Sequence, residues 1–259
     1  MSKRVSLSLA IFCLLVVTPL VGQAQQQEAP VFTYVAEWSV PRDKWGDFTA
    51  SFEKDSRPIL ERMTASGTLV DWGSFSTVVH LPNEATHGIW WSSTSQAGIE
   101  HTRQELLKLA PNPAQLAATM HRDYYLRSLT HQAKATSTGA VSGYLVASSS
   151  QVQPGKGQEW RDLWNKYSKP TYDELLGNGS ILYYALQVEQ VHTDNPGVRY
   201  VVLITPNAEG LDKVNEAFRA LSEKRGPVEN RSIGAAFADV TVAGAHRDFF
   251  AQVLSYMHK

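Results

Sequence analysis

Residues recur in this chain at a spacing of 112. Gly67, His80 and Gly98 return as Gly179, His192 and Gly210. A repeat at fixed offset constrains the architecture more than any composition does, because each copy must form the same local structure and bury its apolar face against something the chain itself supplies.

The first copy opens with Val31–Val40, rich in aromatic and β-branched residues, as a strand should be. Trp45, Phe48 and Phe52 then fall on one helical face, Pro58 kinks or divides that helix, and Gly67 stops it. Strands over Thr68–His80 and His87–Ser93 are joined by a short loop. A helix with Ile99, Leu106 and Leu109 on its buried stripe follows, and then a strand over Tyr124–Leu129. The order is β-α-β-β-α-β. It returns as a strand over Ser142–Val152, a stripe of Trp160, Leu163 and Tyr167, Pro170 in place of Pro58, and a hairpin of Ser180–His192 and Val198–Thr205 turned at Asp194–Gly197. A helix with Leu211, Val214, Phe218 and Leu221 and a strand over Ala235–Val242 complete it. The resulting division is a leader at 1–24, a polar stretch at 25–30, repeats at 31–131 and 141–244 with a joint at 132–140, and a C-terminal helix in 245–259, over Ala245–Met257.

Lys3 and Arg4, the apolar run Val5–Val17 and the small residues Gly22 and Ala24 read as an export signal cleaved after Ala24, which predicts a periplasmic or secreted protein with no membrane anchor. The single cysteine, Cys13, lies inside that segment, so the mature chain relies on a hydrophobic core instead of disulfides. Without Lys3 and Arg4, 22 basic side chains face 25 acidic ones, and no basic stripe exists to bind nucleic acid.

A β-α-β-β-α-β unit is the ferredoxin-like arrangement, with one sheet face bare, and two copies in one chain can cover each other. The duplication, element order and helix stripes resemble the dimeric α/β-barrel superfamily, with its antibiotic-biosynthesis-type monooxygenases, EthD-like and NIPSNAP-like proteins, chlorite dismutases and dye-decolourising peroxidases. The resemblance implies an α+β fold in which two tandem ferredoxin-like repeats pack as a pseudo-dimeric barrel around a central cavity. It transfers no catalytic residue, and a fold by itself gives no function.

The candidate ligand-binding residues are Trp38, Trp72, Tyr184, His80 and His192. Trp38 and Trp72 are replaced in the second copy by Ser150 and Tyr184, so a cavity they line would be asymmetric. His80 and His192 occupy matching strand ends, and with His87 they are weak metal candidates, although solvated or core histidines are the commoner use and no tight metal spacing is present. Glu37, Asp71, Glu189 and Tyr183 would add polar contacts or a base if they point inward. His121-Arg122-Asp123 recurs as His246-Arg247-Asp248 at a spacing of 125 instead of 112, which reads as an accidental match. The leading expectation is an exported small-molecule-binding barrel. The alternatives are a cofactor-free monooxygenase or a haem protein with His80 or His192 as axial ligand, and an interaction module docking through the C-terminal helix. Self-association is compatible with each.

Overall fold

In a computed structural model the described residues are 29–82, 84–136, 139–192 and 196–259. The export signal, most of the polar stretch, and Asp194 and Asn195 of the second hairpin turn lie outside them. Eight strands, β1 (Phe32–Trp38), β2 (Asp71–Thr77), β3 (His87–Ser93), β4 (His121–Ala133), β5 (Val141–Val152), β6 (Tyr183–Glu189), β7 (Val198–Thr205) and β8 (Thr241–His258), close into an antiparallel barrel of order β1-β3-β2-β8-β5-β7-β6-β4. Outside it lie α1 (Trp45–Ser51), α2 (Arg57–Ala65), α3 (Gln96–Leu106), α4 (Pro113–Leu116), α5 (Gly157–Tyr167), α6 (Lys169–Asn178) and α7 (Ala208–Ala238). The fold class is α+β.

The offset of 112 is kept in the hydrogen-bonded register. Trp72 pairs with Trp91, and Tyr184 with Leu203; Tyr34 pairs with Trp91, and Val146 with Leu203. Gly67 and Gly179 both follow a helix with positive φ, 81° and 83°, where a Cβ would be strained. The two prolines act differently. Pro58 sits in the first turn of α2, joined to α1 through a π-helical turn at Phe52–Ser56, whereas around Pro170 the helix is divided between α5 and α6 at Ser168.

The C-terminal segment corrects the sequence reading. Residues 241–258 form β8, the fourth strand of the second half, and the helix expected over Ala245–Met257 does not exist; Ala235 to Ala238, expected as strand, end α7. A bulge explains the error. Ser74 pairs with Ser255 but Phe75 with Val253, so Leu254 is an extra residue, and inward-facing Phe249, Val253 and Tyr256 fall at i, i+4 and i+7. That spacing imitates a helical stripe.

The same strand overturns the dismissal of the repeated tripeptide. Tyr34 pairs with Tyr125 and Val146 with Phe250, while Ala36 pairs with Asp123 and Ser148 with Asp248. His121-Arg122-Asp123 and His246-Arg247-Asp248 are therefore equivalent, and the thirteen extra residues lengthen the connection to β8 through α7, which runs on past a break at Gly226 (φ 77°) before Pro227.

Both faces of the strands are buried. Inside, Phe75, Trp90, Leu145, Tyr183, Val253 and Tyr256 belong to one packed cluster, and they occupy the central space expected for a ligand. A Cβ on Gly73 would lie 2.1 Å from the Trp90 ring, so glycine is what admits that indole. Outside, α1, α2 and α3 cover one half of the barrel, with Phe48, Leu60, Met63 and Ile99 in its core, and α5, α6 and α7 cover the other.

Candidate functional site

The proposed cavity residues do not meet. Trp38, Trp72 and Tyr184 point away from the barrel interior into the two sheet–helix layers. Trp38 stacks on His121 (5.0 Å) and tilts against Phe48, Trp72 lies 6.1 Å from Phe52, and Tyr184 stacks on Tyr172 and donates its hydroxyl hydrogen to Asp173. His80 is exposed and stacked on Trp45 (5.0 Å), and His192 is exposed. His87 is buried against Phe48 and Trp45, with Nδ1 3.1 Å from the Thr86 hydroxyl; burial, helped by the nearby His80, pushes its pKa down to about 4 and keeps it neutral. Among the described residues no three His, Cys, Asp or Glu side chains are placed to hold a metal ion. His80 and His192 are both exposed, and neither fronts an enclosed space for a macrocycle, so these residues do not fit a haem.

Glu37, Asp71, Glu189 and Tyr183 do point inward. At one end of the barrel Asp71 is fully enclosed. Burial pushes its pKa up, but the hydrogen bond with His131, whose Nε2 is 2.8 Å from Oδ2, and the nearby His258 imidazole, 3.8 Å from the same oxygen, outweigh this and hold it well below the carboxylate range. Tyr183 and Tyr256 close over the pair. At the other end Glu37 faces Arg122, Tyr124 and Tyr200. Burial pushes its carboxyl up to about 7, with Arg122 opposing and Glu84 assisting. Arg122 donates to the Tyr124 hydroxyl (2.9 Å) and to Glu84 (3.2 Å), and Tyr200 donates to Glu189 (3.2 Å).

A polar and aromatic cleft of about 440 Å³ lies between α3, β1 and β4, lined by Tyr34, Ile99, Arg103, Asp123, Tyr125 and Val191, among others. The strands set its floor. Tyr34 is an outward residue of β1 stacked on Trp91 at 4.7 Å, and its register partner Tyr125 leans on it at 6.5 Å. Ser95 caps α3 by accepting from the Gly98 N–H, fixing the turn that presents Glu100 and Arg103. Arg103 grips Glu100 through two hydrogen bonds of 2.8 Å at the rim. Burial, and then the adjacent Asp123 carboxylate, push the Tyr34 phenol up to about 12, so it remains a donor at neutral pH.

Asp123 is the chemically open group. His121 Nε2 stands 3.1 Å from its Oδ1 without hydrogen-bond geometry, and that buried oxygen has no hydrogen-bond partner. A flat ring resting on Tyr34 and Tyr125 could give a hydrogen bond to Asp123 and accept one from Tyr34. None of these cleft residues was singled out as a candidate; the repeated His-Arg-Asp signal that marks Asp123 was present but discounted because of its spacing.

An α+β fold with a closed, antiparallel eight-stranded barrel and helices outside is the fold of the dimeric α/β-barrel proteins. No protein-family model matches the sequence, and no curated protein is similar to it. Solved structures carry the likeness. A candidate monooxygenase from Lactobacillus acidophilus covers 89% of this chain and 97% of its own at 8% identity, with a TM-score of 0.60. One from Fusobacterium nucleatum covers 89% and 95% at 11% identity, also at 0.60, and an anthrone oxidase-like protein covers 90% and 94% at 12% identity, at 0.51. At these identities the likeness is one of fold.

Proposed function

We propose that this chain is an exported protein that binds a small, planar, hydroxylated aromatic molecule in the cleft between α3, β1 and β4, on a barrel made of two fused ferredoxin-like units. The observation that carries the reading is the buried Asp123 Oδ1, which accepts no hydrogen bond, beside a stacked aromatic floor. An aromatic floor supplies area for a flat ring, and a buried carboxylate oxygen that accepts no hydrogen bond favours a ligand that donates to it, because satisfying a buried acceptor recovers its desolvation cost. Export is supported by the leader ending at Ala24 and by a mature chain without cysteine. The shared offset of 112 in sequence and register supports the fused origin.

Native mass spectrometry of the mature protein from its own compartment, followed by a tryptophan-fluorescence titration with hydroxylated naphthalenes and anthracenes, tests this. Trp91 beneath Tyr34 should be quenched on binding, and Tyr34→Ala and Asp123→Asn should each weaken affinity about tenfold or more while circular dichroism is unchanged. Equal affinity in wild type and both variants would overturn the cleft. Ligand recovered with added oxygen after incubation in air would instead favour the monooxygenase alternative.

A further inference from the structure

Further along the outward face of β4 from the cleft, two arginines stand on one face with no counter-charge among the described residues. Arg127 on β4 and Arg199 on β7 both pair with Val188 on β6, one from each side, so all three project outward in one cross-strand row. Two strand spacings put their Cα atoms about 10 Å apart, a distance two long side chains can close upon a common guest. Both are only partly exposed, and among the described residues neither forms an ion pair with a carboxylate.

Three further observations converge on the gap. The Arg199 Nε is buried with no hydrogen-bond partner, although Nη1 donates to the Val198 carbonyl at 3.2 Å. Its guanidinium lies against the start of α5, where a Cβ on Gly157 would be 2.8 Å from Nη2. The first turn of α5 has no side-chain cap, since Lys156 at that position carries no acceptor, so it leaves N–H groups without a side-chain partner at the positive end of the helix. Burial, and then the charge of Arg127, push the Arg199 pKa down, the sense expected of a cation that lacks an anion.

We infer that Arg127 and Arg199, with the first turn of α5, form a second binding site, for an oxyanion group of the phosphate or sulfate type. Guanidinium forks match the oxygens of such a group, and a tetrahedral anion between them removes a like-charge repulsion and fills open donors at once. The site is separate from the aromatic cleft and stands whether or not that reading does.

Thermal unfolding of the mature chain in sodium phosphate or sodium sulfate, against sodium chloride at matched ionic strength, tests it. With the oxyanion at about ten times its Kd, the wild type should gain about 3–5 °C in Tm over chloride. The Arg127→Gln/Arg199→Gln double variant should lose that increment yet melt no lower in chloride, while Arg127→Lys/Arg199→Lys should keep part of it. An equal increment in the wild type and the double glutamine variant, or none in the wild type, overturns the site. So does an increment seen only in Asp194→Asn, which would mean that a carboxylate of the chain itself occupies the pair.

Discussion

Glu37 and Asp123 sit on opposite faces of the same two paired strands, and their surroundings give them opposite tasks. Asp123 faces the cleft beside a phenol and an imidazole; Glu37 faces the barrel end with its carboxyl pushed by burial from 4.5 to about 7. A carboxyl whose pKa is raised by folding holds more protons in the folded than in the unfolded state between those values, so stability falls as pH rises through that window. Glu37→Gln, which cannot ionise, should match the wild type near pH 4 and exceed it at pH 8 by roughly 2 kcal/mol once partial exposure is allowed for; urea unfolding at the two pH values measures this. Trp72 makes the contrasting case. Fully buried between β2 and Phe52, it is a core residue, and Trp72→Ala should cost about 3–5 kcal/mol. A variant that kept its melting temperature but lost a ligand would restore Trp72 to a binding role. The sequence suggested binding because a barrel covered by helices buries both strand faces, so apolar alternation marks neither face as the inner one. Trp38, Trp72 and Tyr184 look like Phe75, Trp90 and Tyr183 in one dimension.

At the scale of elements, local chemistry was legible and phase was not. The helix stripes ending at Gly67 and Gly179 depend on contacts within a few residues, and they form where the spacing places them. β8 depends on a bulge that no short-range signal records, and its shifted alternation passed for a helix. The structure makes that segment the bridge between the halves, paired with β2 on one side and β5 on the other. Removing residues 245–259 should therefore abolish the cooperative melt instead of leaving a folded barrel without a tail, because it opens two ladders and strips Val253 and Tyr256 from the interior. A truncated chain that still melted cooperatively near the wild-type temperature would contradict this. The equivalence of Asp123 and Asp248 was hidden for a related reason. The extension of α7 past Gly226 changes the offset from 112 to 125 without changing the strand register.

Over the whole molecule, the two halves are joined by the segment 134–140 but held by two seams, β2 with β8 and β4 with β6. Each half alone would expose both of its outer strands, with unpaired N–H and C=O groups along each, together with the apolar inward face that the other half covers. A barrel closed by two such seams should not need its linker. Residues 25–136 and 139–259 expressed separately should associate with themselves or aggregate, whereas co-expressed they should yield a one-to-one complex with the circular dichroism of the intact chain, read by light scattering on a sizing column. The polar groups at the ends of the barrel make the pairing selective. Asp71 from the first half lies 3.8 Å from the His258 imidazole of the second, and Gln187 from the second donates to Thr33 of the first at 3.2 Å, so mixed pairing places a base beside a buried acid and satisfies a buried amide that two copies of one half would leave open. Homodimers of either half as stable as the mixed complex would show that shape alone directs assembly.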